Sequence, residues 1–439
     1  MLGYYFHLAL RSLRRDFALT ALAVLSIGVG IGASMSMLTI LRAASGDPIP
    51  QKSAELFVPQ IDNFGPQPGA PPTSQDQLPP NLTYTDAIAL VRAHVAALQA
   101  AMYPVALTIT VPGTRALPLQ GEALATGSAF FPMFDVPFEY GGPWRRAEDD
   151  SHAAVVVLTQ SLNEQLFGGS NSVGRSLTIN GQPYRVIGVL AAWHPSPRFF
   201  NLGFENYTAV EQLYAPFTRA IDEHIETAGH FNCSRQGPGN GWTGILQSNC
   251  IWIRAWVELP SRRAFAQYRV FLRNYAAEQR QEGRFNWPPH VALRDVMQWL
   301  AYNHVVPASV RTLTGVAFAI LLVCLFNATG LMLAKFMARA PVVGVRRALG
   351  ATRGAVFAQG LVEAGVIGLA GGLLGMGLSK EGLMGCRAVL NQDLFVLTQL
   401  RVTDMVIALV LAVLATLLAG LYPTWRAAQV QPAAYLKTQ

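Results

Sequence analysis

The sequence predicts an α-helical membrane protein with four transmembrane helices and a large α+β domain inserted between the first and second. Three observations carry this. Only 13% of the 439 residues are charged, about half the share in an ordinary soluble domain. Four runs reach the length a bilayer requires, about 20 apolar residues. Residues 43–307, between the first two runs, are mostly polar and long enough for one or two compact units. A hydrophobic share of 51% excludes a disordered chain or a small disulfide scaffold.

Residues 1–16 form a short basic lead with Arg11, Arg14 and Arg15. The first transmembrane helix is placed at 17–42. Its uncharged run, Phe17 to Leu41, exceeds the 7 to 15 residues typical of a signal-peptide core, so it reads as an uncleaved anchor.

Within 43–307, the Pro-rich stretch Gly65 to Pro80 reads as a loop. A helix opens at Asn81 to Asp86, capped by Thr83 or Thr85, with Ile88, Val91, Val95 and Leu98 as its apolar stripe. Strands are predicted at 102–111 and 116–125 around the Pro112-Gly113 turn, and at 153–158. A short helix at 161–167 ends on Gly168-Gly169. The strands 176–179 and 184–190 flank Asn180-Gly181, which suits a type I′ hairpin turn. A strand at 252–258 precedes a long helix from Ser261 to Arg284. The acid run Glu148-Asp-Asp150 after Arg145-Arg146 reads as a solvated turn.

The second transmembrane helix is placed at 308–334, then a basic segment at 335–355 and the third helix at 356–379. That third run contains one charge, Glu363, near its first end, where an interfacial or structural pairing is expected rather than ion transport. A loop at 380–402, a fourth helix at 403–425 and a tail at 426–439 complete the chain.

Basic residues flanking the spans set orientation. They cluster before the first span, between the second and third (Lys335, Arg339, Arg346, Arg347, Arg353), and after the fourth (Arg426, Lys437). With four spans these segments share one side, the cytoplasm. Both termini are therefore inside and the large domain outside. The net charge of +7 is a topology signal: residues 43–307 hold 18 basic against 21 acidic side chains. No nucleic-acid partner is expected.

Several strings together resemble a known family. Gly344-Val-Arg-Arg-Ala-Leu-Gly-Ala351, Leu373-Leu-Gly375 and Gly420-Leu-Tyr-Pro-Thr-Trp-Arg-Ala-Ala428 are similar to the C-terminal region of FtsX/MacB permeases. Ser128-Ala-Phe-Phe-Pro-Met-Phe-Asp-Val-Pro137, Val155-Val-Val-Leu158, Leu166-Phe-Gly-Gly169, Val173-Gly174 and Tyr184-Arg-Val-Ile-Gly-Val-Leu190 resemble the MacB-like periplasmic core domain. Val342 stands where the family commonly carries an acid, and MacB carries a fused ATPase before its first span, where this chain has 16 residues.

The resemblance implies the permease of a mechanotransmission ABC system in the bacterial inner membrane. Its periplasmic domain would have porter-like parts at about 50–135 and 250–307 and a sabre-like part at about 136–249. A separate cytoplasmic ATPase, in two copies, would bind ATP and Mg and drive motion of the outer domains. A second permease, identical or paralogous, is expected, and a membrane-fusion adaptor with an outer-membrane channel would fit. Export is the first reading. The alternatives are LolC/LolE-like lipoprotein release and an FtsX-like regulator of a periplasmic partner that transports nothing.

Residue patterns add site expectations. The four lysines (Lys52, Lys335, Lys380, Lys437) never follow a glycine, so no Walker A loop is present. Catalytic signatures are missing, and no cofactor or metal is expected for this chain itself. Pro341 can start a short helix. On it Val342, Val345 and Leu349, with Ala348, share a face. Arg346 and Arg347 lie off its centre. The string around them implies a helix that couples to an ATPase; as a positive-inside anchor the same loop would contact lipid phosphate. Gly28 with Gly32, Gly368 with Gly372, and Gly371 with Gly375 are spaced for close helix approach, either between permeases or within one four-helix unit. Cys233 and Cys250 are expected to pair as a disulfide in an oxidising compartment. The zinc alternative, with His224 and His230, matches no standard spacing. Cys324 reads as an inert buried thiol and Cys386 as a free one.

Overall fold

A computed structural model describes residues 15–64, 77–113, 117–203, 206–207, 211–233, 237–285, 287–389 and 402–429, the last four of the 287–389 stretch and Val402 by backbone alone. Arg11, Arg14, most of the Gly65–Pro80 stretch, most of the 380–402 loop, Lys437 and the Cys386 side chain lie outside this description. The chain divides into two units, Gly46–Val305 and the remainder.

The first helix, α1, spans Phe17–Ser45. The unit Gly46–Val305 then builds a mixed sheet from β1 (Leu56–Ile61), β2 (Leu98–Thr110), β3 (Leu119–Thr126), β4 (Phe138–Gly141), β5 (Val155–Leu158), β6 (Ser176–Ile179), β7 (Gln182–Leu190), β8 (Glu211–Pro216), β11 (Arg254–Glu258) and β12 (Val291–Asp295). Their order is β12-β1-β11-β2-β3-β8-β5-β7-β4, with β6 across β2 and β7. Pairing is antiparallel except β3 with β8 and β5 with β7. The sheet thus runs unbroken from the 50–135 part into the 136–249 part. Strands β9 (Asn232–Cys233) and β10 (Cys250–Ile251) form a separate ribbon closed by a disulfide between Cys233 and Cys250. With both thiols consumed, the zinc alternative loses its two cysteine ligands.

Helices α2 (Tyr84–Arg92), α3 (Phe130–Met133), α4 (Arg146–Asp150), α5 (Gln160–Phe167), α6 (Phe217–Asp222), α7 (Gly241–Gln247), α8 (Arg262–Gln281) and α9 (Val296–Tyr302) surround this sheet. Thr83 caps α2, its hydroxyl accepting from the Asp86 amide, and Ser261 caps α8. The 180–181 turn has both φ angles positive, as a type I′ hairpin requires.

Three expectations change. The helix that opens at Thr83 stops at Arg92, so Val95 and Leu98 are not on its face. Leu98 instead begins β2, pairing with Glu258. Strands β1, β8 and β12 were not legible. β1 contains Pro59, which argues against an interior strand, yet all six of its residues are buried. The acid run is not a solvated turn. Asp149 Oδ2 accepts from the Ser128 amide at 2.7 Å and Oδ1 from the Trp144 indole at 2.8 Å. Burial pushes its carboxyl above the usual range, against those hydrogen bonds.

The Ser128–Pro137 string supplies a second core. Phe130 and Phe134 meet edge to face at 4.9 Å, Phe130 meets Phe200 at 5.4 Å, and Phe134 meets Trp256 at 5.6 Å. Such pairs add about 0.5–1.5 kcal/mol each beyond the area they bury.

The other unit joins α1 to α10 (Ala308–Ala338), α11 (Ala340–Ala348), α12 (Arg353–Val389) and α13 (Val402–Ala428). Four of these helices are long and apolar enough to cross a membrane. α1 packs on α10 and α12, and α13 packs on α12 and α10. Helix α12 runs past residue 379, where the apolar stretch ends. Charges at Lys380 and Glu381 mark the end of an apolar run, but nothing there breaks a helix.

Candidate coupling site

Small residues decide how closely these helices pack. A Cβ on Gly375 would meet Ile31 Cγ2 at 2.8 Å and the Gly28 carbonyl at 3.0 Å, and one on Gly32 would meet Leu378 at 3.0 Å. Gly28 faces Leu374 and Gly371 faces Ile27, so all four seal α1 against α12. Gly368 and Gly372 face Thr416 and Ala412 of α13. Every one of the six therefore serves an interface inside the chain. Ser34 adds a hydrogen bond to the Ala317 carbonyl at 3.0 Å, and Ser26 one to the carbonyl of Cys324 at 3.1 Å. Cys324 itself is half-buried rather than fully buried.

At one end of this bundle lies a buried ion network. Glu363 of α12 is 2% exposed and Lys335 of α10 is 1% exposed. Lys335 Nζ stands 2.5 Å from Glu363 Oε1 and donates to Thr20 Oγ1 of α1 at 2.7 Å. Arg339 lies 3.6 Å from the same carboxylate and donates through Nε to Asp16 at 2.7 Å. Three helices are thereby tied together by charge. Glu363 is deeper than its position in the apolar run implied, and Lys335 and Arg339, which the sequence placed among topology-setting cations, point inward. A signal was present: one acid inside an apolar run, with cations at the end of a neighbouring run.

Directly after this network comes α11. Pro341 occupies its first turn, where the missing N–H costs nothing. Ala340 and Gly344 are its buried positions. Val342 is 44% exposed, Val345 50% and Leu349 84%, and Val342 also borders the cavity under the helix. Leu349 sits just past the last helical residue, capping the turn with its amide on the Val345 carbonyl. The two arginines differ: Arg346 is exposed and donates to Gln359 Oε1 of α12 at 3.1 Å, whereas Arg347 is half-buried. A cavity of about 220 Å³ under α11 is lined by Arg15, Val343, Arg346, Gln359 and Glu363, among others. The ion network, the cavity and α11 therefore form one continuous structure.

Comparison with known proteins gives two matches along the chain. Residues 20–254 match the MacB-like periplasmic core domain, and residues 314–432 match the FtsX-like permease C-terminal region. The chain is similar to the macrolide export ATP-binding/permease protein MacB of Syntrophobacter fumaroxidans, at 24% identity over 98% of this chain and 63% of that protein. It is also similar to the uncharacterized ABC transporter permease YvrN of Bacillus subtilis, at 22% identity over 69% of this chain and 66% of that one. The chain spans about three-fifths to two-thirds of the length of these relatives. Superposed on the periplasmic region of MacB from Actinobacillus actinomycetemcomitans, it covers 56% of this chain and 92% of that one, with a TM-score of 0.35 and 13% identity. A periplasmic core domain matching over half the chain, followed by the permease region, means that this chain belongs to the MacB/FtsX family of ABC transporter permeases.

Proposed function

We propose that the chain is the permease of a MacB-like mechanotransmission ABC transporter, working in export or efflux. In this reading four helices span the bacterial inner membrane, both termini are cytoplasmic, and the unit Gly46–Val305 is periplasmic. ATP and Mg are bound by a separate cytoplasmic ATPase, present in two copies. A second permease, identical or paralogous, completes the membrane part, and an adaptor and outer-membrane channel carry cargo onward. The chain itself performs no hydrolysis, in keeping with the absence of a Walker A string from its 439 residues.

The observation that carries the reading is the set of exposed apolar side chains Val342 and Val345 on α11 and Leu349 just past its end. Apolar side chains on the outside of a short helix favour a groove on a soluble subunit, with Arg346 and Arg347 at the rim. Closure of the ATPase dimer then pushes on α11. That push reaches α1, α10 and α12 together because Lys335, Arg339 and Glu363 tie those helices just behind it. Cargo motion is driven on the far side, with no passage through this chain.

Leu349→Asp tests the assignment. It should abolish assembly with the ATPase and transport while leaving membrane insertion intact, whereas Arg346→Gln with Arg347→Gln should weaken assembly modestly, since rim charges contribute less than buried anchors. Full transport by Leu349→Asp protein would reduce α11 to a membrane anchor.

A further inference from the structure

A cleft of about 860 Å³ opens within the unit Gly46–Val305. That volume is in the range that takes a drug-sized molecule, about 300–1,000 Å³. Helix α2 contributes Ile88 and Val91 to its lining, the start of β2 contributes Ala100 and Ala101, and α6 contributes Phe217 and Ile221. The body of the cleft is therefore apolar.

Its charged groups are unequal in what they leave available. Three acids line it, and each is engaged. Asp222 pairs with His152, Asp150 lies 3.7 Å from Arg146, and both oxygens of Asp149 are taken by the Ser128 amide and the Trp144 indole. Arg146 also donates to Nε2 of His94 at 2.8 Å. Two further guanidinia, Arg92 and Arg145, line the cleft with exposed side chains and no ion pair among the described residues. The cleft thus combines an apolar interior with unspent positive charge and carboxylates that are already committed. A cationic ligand would meet only acids that already hold a partner, while an anion would meet two arginines with no ion pair among the described residues.

We propose that this cleft binds an amphipathic organic anion, its apolar body against Val91, Ala100 and Ile221 and its carboxylate, sulfate or phosphate group on Arg92 and Arg145. The site lies wholly inside one unit and does not depend on α11 coupling to an ATPase. Nor does it depend on ATP, because the guanidinia and the apolar lining are present in the chain alone.

Photolabelling of the full chain in detergent tests this, with 4-benzoylbenzoate as the anionic probe and its neutral methyl ester as the control. Label from the acid should map by mass spectrometry to peptides within 84–101, 143–152 and 217–222, and exceed label from the ester there. Arg92→Gln with Arg145→Gln should cut that labelling about tenfold, as expected when the charges that orient a ligand are lost. Both positions are exposed, so the fold should survive. Val91→Trp, which fills the cleft from α2, should remove the labelling while the thermal transition is kept. Equal labelling by acid and ester in these peptides, or labelling unchanged in both variants, would overturn the proposal.

Discussion

The Lys335–Glu363 pair shows how much one residue's environment changes its meaning. Two opposite charges, each nearly inaccessible, are tolerable in an apolar bundle only because they neutralise each other and find further donors and acceptors in Thr20 and Arg339. Removing Lys335 leaves the Glu363 carboxylate to the more distant Arg339, at 3.6 Å. Lys335→Met should destabilise the membrane unit by up to about 3 kcal/mol, the low end of the cost of breaking a buried pair. Combining it with Glu363→Leu should recover much of that loss, because Arg339 keeps Asp16 and no charge is left buried alone. Denaturation of the detergent-solubilised variants would measure both, and a double variant as unstable as the single would show that the pair stabilises beyond mutual neutralisation. Asp86 is the equivalent in the other unit: fully buried, it accepts from Thr83, Asn63, Tyr275 and Arg284. Burial and that carboxylate together push the Tyr275 hydroxyl well above its ordinary value.

At the scale of elements, helix contacts in the membrane unit turn on glycine. Lipid chains are as apolar as leucine, so no hydrophobic force drives these helices together, and close backbone approach must supply the packing. A Cβ at Gly368 would collide with the Thr416 hydroxyl, which is committed to the Ala412 and Val413 carbonyls. At Gly377 a Cβ would meet nothing within 4 Å. Gly368→Ala should therefore loosen α12 from α13 and lower the unfolding midpoint, while Gly377→Ala should be neutral or raise it, alanine being better in a helix by about 1 kcal/mol. Thermal unfolding of the two variants side by side checks the contrast; equal effects would mean that spacing alone, rather than the facing residue, governs tolerance.

The whole molecule divides its exposed apolar surface unevenly. Large exposed hydrophobic side chains crowd α1, α10, α12 and α13, among them Leu322, Val323, Phe326, Leu414 and Leu418, whereas in the unit Gly46–Val305 they are few. The first distribution suits lipid as solvent and the second suits water. A fragment spanning Gly46–Val305 should accordingly be soluble and unfold cooperatively, since its sheet, its aromatic core and its disulfide all close within it. Circular dichroism with thermal melting tests this. Reduction should lower its stability by about 3 kcal/mol, the chain-entropy value for a loop of this size. A fragment that is molten or aggregated before reduction would show that the unit needs the membrane helices to fold.

What the sequence determined by itself is whatever rests on local pattern. Apolar length marked the four membrane-spanning candidates, Thr83 or Thr85 and Ser261 marked helix starts, Asn180-Gly181 marked a hairpin, and the strings around Gly344 and Tyr184 marked the family. The α11 stripe was legible for the same reason, since helical periodicity follows from spacing alone. Tertiary structure decided everything that depends on a distant partner. β1 and β8 are strands because neighbours far along the chain supply their hydrogen bonds, despite Pro59 and a mixed polar sequence in β8. Asp149 is a half-buried acceptor because Ser128 and Trp144 fold onto it. Glu363 meets a lysine 28 positions earlier and an arginine 24 positions earlier, and the cleft beside Arg92 draws on residues from 84 to 222. Such sites gather side chains across separations at which sequence periodicity holds no information, so only the folded chain brings them into register.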